Sequence, residues 1–363
     1  MMTCGDIAHK VSCGSRLTAG EALVLWREAP LWLLGRLAAE AKYRASGDKV
    51  FYNRNFHIEP TNVCNYNCRF CSYRRPKGAP DAWDWTPDEI ENIARSRSSC
   101  GATEVHIVGG AHPDHDLWYW AEVVRRVKRA VPSAAIKAFT AVELLFMSER
   151  TGVAVSECLR VLKEAGLEAL PGGGAEIFAA EIRRQICPEK CSGEEWLSVH
   201  GTAHGMGIRT NATMLYGHVE SIEHRIDHLL RLRAQQDATG GFDAFVPLRY
   251  RRANNPLGAT TCEVSVVEDL RTLAMSRLLL DNIPHIKAYW VMYGKQTAEL
   301  ALSFGADDID GTIDDSTKIY SMAGAEEQKP SLTIAEIEGM ALSAGLRAVE
   351  RDTFYNELNS RPE

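Results

Sequence analysis

The chain has 363 residues, 45% of them hydrophobic and 25% charged, with a formal net charge of −7. Such a balance suits a soluble globular protein, and the lack of a basic block argues against nucleic acid or an anionic membrane surface as a partner. No apolar run reaches transmembrane length and the N-terminus lacks a charged-then-apolar leader, so a cytoplasmic protein with no membrane partner is expected.

Residues 1–15 show little periodicity. Thr18 with Glu21 forms a capping box opening a helical stretch to about Arg44, which Pro30 should break or restart. Eight β-like runs then follow, at 56–62, 105–108, 135–140, 168–170, 208–214, 242–248, 285–290 and 308–310. Helix patterns fill the intervals. Thr86-Pro87-Asp88-Glu89 is a capping box with proline at the first helical position. Ile222, Ile226, Leu229 and Leu230 make an apolar stripe ended by Gly240-Gly241, and Ser265 with Glu268 caps a helix carrying Leu270, Leu273 and Leu278. Thr333 with Glu336 opens a last helix. The alternation predicts the α/β class and a single (βα)8 TIM-type barrel over 51–330. An N-terminal helical extension over 1–50 and a C-terminal helix and tail over 331–363 complete the expected layout.

Chemistry concentrates just after the first run. Cys64, Cys68 and Cys71 are spaced Cys-x3-Cys-x2-Cys with no fourth cysteine nearby. Three thiolates can hold three irons of a cubane [4Fe–4S] cluster and leave the fourth iron open to a small molecule. A structural zinc site would normally ask for four ligands. The other seven cysteines are scattered and read as unpaired, which fits a reducing compartment, and the Cys187/Cys191 pair reads as incidental. Barrel sites sit at the C-terminal ends of the strands. There the first run offers His57 and Glu59 on one face; whether they satisfy each other or meet a ligand stays open. The second run ends at Gly109-Gly110 and the fourth at Gly172–Gly174 with Glu176; no phosphate-binding Gly-Lys-Ser/Thr follows. The fifth run ends with Asn211, Thr213 and Met214, and the sixth with Arg249, Arg251 and Arg252. His200/His204 and His224/His228 have zinc-helix spacing without the intervening Glu and read as solvated or packed helix faces. The acidic DDIDGTIDD stretch lacks the ligand ladder of a calcium loop and reads as a rim element.

The Cys-x3-Cys-x-Phe-Cys loop resembles that of the radical S-adenosylmethionine (SAM) enzymes. NRNFHIEPTNVC, KAFTAVEL, PGGGAEI, TNATMLYGHVES, GGFDAFVPL, DNIPHIKAYW and DDIDGTIDD…KIYSMAGAEE resemble the branch of that family serving the futalosine route to menaquinone, from Phe51 to Leu358. Hydrogen-abstracting relatives, the dehypoxanthine futalosine cyclases and deazaflavin synthases, are similar in the glycine-rich and fifth-strand motifs. In them a Ser-Pro element is expected in place of KAFTAVEL, and Pro-Trp in place of Pro247-Leu248.

The resemblance implies a C–C bond-forming transferase with a [4Fe–4S] cluster on Cys64, Cys68 and Cys71, reduced by flavodoxin or ferredoxin. SAM would be a co-substrate, its 5′-deoxyadenosyl radical adding to 3-[(1-carboxyvinyl)oxy]benzoate. Aryl migration and decarboxylation would give 6-amino-6-deoxyfutalosine, methionine and bicarbonate. The resemblance places Phe70 on the adenine side and Gly109 and Gly110 at the methionyl group. It makes Thr140, Glu143 and Glu176 candidates for ribose or amine contacts. Two substrate carboxylates call for cationic partners, with Arg249, Arg75 and His218 as candidates. His57, Glu59 and Asn211 join them as candidate substrate contacts.

Overall fold

The computed structural model describes residues 2–312, 319–325 and 330–358. Three helices, α1 (Cys4–Ser12), α2 (Ala19–Glu28) and α3 (Leu31–Ser46), precede the first strand. Pro30 restarts the second as α3, as its missing N–H requires. α1 falls where no periodicity was visible: Thr3 and Asp6 form a reciprocal capping box and Ile7 is fully buried. α2 seats on α10 (Ile222–Thr239) and α3 on α11 (Val266–Leu279).

After β1 (Lys49–Asn53) and β2 (Asn55–Ile58), strands and helices alternate. They run α4 (Pro87–Ser96), β3 (Glu104–Ile107), α5 (Leu117–Ala130), β4 (Ala135–Ala138), α6 (Ala141–Thr151), α7 (Val155–Ala165) and β5 (Leu167–Leu170). Next come α8 (Ala180–Ile186), α9 (Gly193–Gly205), β6 (Arg209–Tyr216), α10, β7 (Phe242–Arg249), α11 and β8 (His285–Ile286). The chain closes with α12 (Trp290–Tyr293), α13 (Lys295–Ala301), β9 (Asp308–Gly311), α14 (Ile319–Met322), α15 (Ile334–Ser343) and β10 (Arg347–Glu350).

β2 to β8 form a seven-stranded parallel sheet in chain order, and β1 lies between β10 and β9 in a second parallel sheet. Two links join them. β1 runs on into β2 across Arg54, and Lys287 bridges Asp308 just beyond β8. Followed round, the pairing returns to the strand it left, so the wall curls into the expected barrel, with a seam of one bridge between β8 and β9. Apolar side chains such as Phe56, Ile58, Val105 and Ile107 pack outward against the helices.

Three expectations are corrected. The run at 285–290 is strand for two residues, and Trp290 begins a helix. The run at 56–62 stops at Ile58, because Pro60 has no donor and Thr61 pairs antiparallel with Asp84 instead. The C-terminal helix is followed by a strand, β10, which adds to the edge of β1. Residues 313–315 of the acidic motif and 318, 326 and 327 of the KIYSMAGAEE motif lie outside the described residues. No helix among the described residues is long and apolar enough to cross a membrane.

Candidate active site

The cysteine loop is closed by backbone bonds before any side chain acts. Cys64 N donates to Arg75 O at 3.0 Å, Arg75 N to Asn62 O at 2.7 Å, and Asn65 N to Ala111 O at 2.9 Å. Gly110 permits that last approach: a Cβ there would stand 2.2 Å from Val63 O and 2.9 Å from Cys64 Cβ. The Gly109-Gly110 pair thus brings the β3 exit against the cysteine loop. Gly172 does the same across the barrel, where a Cβ would lie 2.7 Å from Asn211 O.

These loops surround a cavity of about 400 Å³ at the C-terminal ends of the strands. Cys64, Cys68 and Cys71 line one end with Phe70, Gly109, Gly110, Thr140, Glu143 and Glu176. Asn211 and Arg249 line it further round, and His57 from below. All ten cysteines are free thiols.

The three sulfurs do not all lie within 4.8 Å of one another. A tetrahedral zinc would draw them to about 3.8 Å, given bonds near 2.3 Å; a cubane, whose ligands sit on separate irons, asks for a wider spread. Cys64 Sγ accepts from the N–H groups of Tyr66 and Ala111, the kind of donor that supports cluster sulfurs. Burial pushes the Cys68 thiol up to about 12 and raises Cys64 too, so either would be held as a thiolate only against strong positive charge, of the kind irons would supply. The loop fits the cluster.

Other groups have structural duties as well. Thr140 and Glu143 cap α6, with Thr140 N and Oγ1 donating to Glu143 Oε2 at 2.7 and 2.8 Å. Burial nevertheless raises the Glu143 carboxyl to about 7, against those bonds and one from Gly109 N. The native state therefore holds a proton that the unfolded chain releases near 4.5, and stability falls as pH rises between 4.5 and 7. Glu143→Gln should lack that slope, gaining up to ~3 kcal/mol on the wild type across the window. Urea midpoints of both proteins across this range check it; parallel curves would refute it.

Arg249, the last residue of β7, donates from Nη1 to Asp269 Oδ2 at 3.0 Å. Its Nε is buried without a hydrogen-bond partner. Tyr216 donates to the other oxygen of Asp269 at 2.5 Å, so the carboxylate that aims Arg249 is itself fixed. Most of the guanidinium fork remains available to a ligand.

Beneath lies a charged floor that sequence reasoning missed. Lys137 donates to Glu104 at 2.5 Å and Lys287 to Asp310 at 2.7 Å, beside His57 and His106 stacked edge-to-face at 4.7 Å. Burial pushes His57 down to about 4 and His106 to about 3, so both are neutral at pH 7. The signal was present: in AIKA and HIKA a lysine interrupts an apolar strand run at inward register. Lys190 was also missed.

Three candidates are not brought to the cavity wall. Glu59 is fully buried beyond the end of β2, where the strand alternation used to place it no longer holds. Arg75 turns its guanidinium onto Asp81 and the carbonyls of Ser72, Tyr73 and Arg74, closing its own loop. His218 is enclosed, with Nε2 at 3.0 Å from Leu215 O and Nδ1 accepting from Val219 N at 2.7 Å.

The zinc-spaced histidines sit on packed or solvated helix faces, as expected. His200 and His204 share Thr210 Oγ1 at 2.9 Å each, His228 stacks on Phe178, and His224 meets Glu181. Asp84, His112 and His115 do gather within 4.8 Å. His112 Nδ1, however, accepts from Asp114 N, which leaves the proton on the nitrogen facing Asp84. A metal-bound imidazole has the reverse arrangement.

A parallel barrel with a three-cysteine loop at its mouth, opening on a cavity large enough for a nucleoside, defines an enzyme of the radical SAM class. Residues 58–232 match the radical SAM superfamily and residues 239–361 the CofH/MqnC C-terminal region. The chain is 42% identical over 355 residues to aminodeoxyfutalosine synthase of Thermus thermophilus, covering 97% of this chain and 95% of that one. It is 42% identical over 362 residues to aminodeoxyfutalosine synthase of Streptomyces coelicolor, covering 97% and 93%. The solved structure of methylornithine synthase shares the fold at TM-score 0.74 and 19% identity, covering 94% of this chain and 97% of that one. The chain belongs to the radical SAM superfamily, in the branch that carries the CofH/MqnC C-terminal region. Membership implies a [4Fe–4S] cluster and SAM.

Proposed function

We propose that this enzyme joins the 5′-deoxyadenosyl group of SAM to 3-[(1-carboxyvinyl)oxy]benzoate. Aryl migration and decarboxylation then give 6-amino-6-deoxyfutalosine, methionine and bicarbonate. The full-length 42% identity to two aminodeoxyfutalosine synthases is what carries the reading. When bound, the cluster, reduced by a flavodoxin or ferredoxin, supplies the electron that splits the sulfonium of SAM.

The chain's own residues bind, orient and exclude. Cys64, Cys68 and Cys71 hold the cluster. Glu143 and Glu176 offer acceptors to the amine or ribose of SAM, and Phe70 a ring face to its adenine. Val246, Leu248, Tyr289 and Met292 give the aryl ring an apolar wall and keep water and stray hydrogen donors away. Arg249, aimed by Asp269, takes one substrate carboxylate by its open edge. The floor, with each lysine already paired to a carboxylate, has no spare cation for the other.

Anaerobic turnover with both substrates and mass analysis of the product tests the proposal. Covalent capture of the adenosyl group in product is expected. Free 5′-deoxyadenosine released once per turnover would instead indicate a hydrogen-abstracting relative. Arg249→Met should lower kcat/KM about 10- to 100-fold, the worth of a charged hydrogen bond. An unchanged kcat/KM would remove Arg249 from the site.

A further inference from the structure

The cysteine loop does not stand alone. The chain at the end of α8 is stapled along it: Arg69 N donates to Ile186 O at 2.8 Å, Arg69 Nη1 to Gln185 O at 3.2 Å, and Asn67 N to the Glu189 carboxylate at 2.6 Å. Lys190 comes next, its own N–H turned back onto Cys187 O at 3.1 Å. The staple leaves the Lys190 side chain on the cavity wall, with 14% of it exposed. Its ammonium donates to Glu176 Oε1 at 2.7 Å and stands 5.1 Å from the ring centre of Phe70, the residue preceding Cys71. Glu176 occupies a left-handed backbone position, φ 46°, rare outside glycine and consistent with a side chain held for a purpose.

We propose that Lys190 is a positioning residue for electron entry: its part-buried ammonium, carried on the segment stapled to the cysteine loop, is the fixed counter-charge that holds up the reduction potential of the iron–sulfur site. Three thiolates on a [4Fe–4S] core leave the assembly net negative, and reduction adds a further negative charge. A nearby cation in a low-dielectric wall stabilises the reduced form more than the oxidised one, because the attraction grows with the charge. Glu176 offsets this in part. The ammonium is the member of the pair that lies over Phe70, the residue before Cys71, so the pair turns its positive end to the cysteine loop.

The inference rests on the cysteine loop holding a cubane, and its test separates the two. Wild type, Lys190→Met, Lys190→Arg and Glu176→Gln are reconstituted without oxygen and matched for iron and sulfide. The cluster midpoint of each is then read by EPR-monitored titration without SAM or substrate. Lys190→Met should shift the midpoint to more negative potential, while Lys190→Arg stays near wild type. Glu176→Gln, by unmasking the ammonium, should shift it the other way. A fully loaded Lys190→Met with the wild-type midpoint overturns the inference. Should Lys190→Met fail to assemble, the sign of the Glu176→Gln shift decides it, and no shift or a negative one overturns it. Wild type that forms no cubane would sink the site reading itself.

Discussion

Cys68→Ala should abolish turnover and cluster incorporation while the protein stays folded. Cys68 is 7% exposed, and the contact it makes within the loop, Cys71 N to Cys68 O at 3.2 Å, belongs to the backbone and survives the substitution. Losing one sulfur from the cavity wall costs about 1 kcal/mol, within the ordinary range for a point change. For the cluster the loss is categorical, because two thiolates leave two irons without a protein ligand. Iron and sulfide analysis, the visible iron–sulfur absorption and anaerobic turnover read the result together. Cys187→Ala is the matched control: Cys187 is as deeply buried, at 1% exposure, and acts electrostatically on Cys68, yet sits on the stapled segment outside the triplet. That variant should keep its cluster. An active Cys68→Ala enzyme, or equal loss in both variants, would refute the assignment of the three ligands.

Arg351→Ala should destabilise the fold by about 3–5 kcal/mol, the usual cost of leaving a buried charge unpaired. Arg351 and Asp308 are both fully buried, joined from Nε to Oδ2 at 2.7 Å. Tyr355 donates to the same oxygen at 2.6 Å, lies under the guanidinium at 4.1 Å, and stacks on His285 at 3.7 Å. The cluster ties β10 to the seam where β8 and β9 share one bridge, so its loss should loosen the C-terminal strand first. Urea denaturation gives the magnitude, and amide exchange over 347–350 gives the place. Asp308→Asn with Arg351→Met, which removes both charges, should cost less than Arg351→Ala alone. If the single variant unfolds at the wild-type midpoint, the ion pair does not hold the seam.

How far the sequence carried the reading depends on the range of the interactions involved. Capping boxes at Thr18, Thr86 and Thr333 all stand in the structure, because each is settled within four residues. The strand runs were visible because apolar side chains repeat along them. α1 escaped notice because its box uses Asp6 in place of Glu or Gln, before a short, weakly patterned run. β1 and β10 were missed because they exist by distant pairing, β1 between β9 and β10 and β10 on β1 alone, and nothing in the exposed-to-buried pattern of Arg347–Glu350 announces a strand. The site divides in the same way. Cys64, Cys68 and Cys71 are close in sequence, so their spacing alone exposes the chemistry. Arg75 and His218 looked equally suitable for a carboxylate, but each turns onto its own loop, Arg75 onto Asp81 and the carbonyls of Ser72, Tyr73 and Arg74 and His218 onto Leu215 O and Glu220, a turn that only the folded loop shows.

The sequence by itself determined the three-cysteine spacing, the alternation of strands and helices and the superfamily, since all three are written in short-range spacing. Only the tertiary structure decided which charges face the cavity. Lys190 reaches the cavity wall because 185–189 is bonded to 67–69, and Arg249 is aimed by Asp269, twenty residues further along the chain. Buried charge is settled by partners brought together from distant segments, and a linear pattern carries no record of who those partners will be.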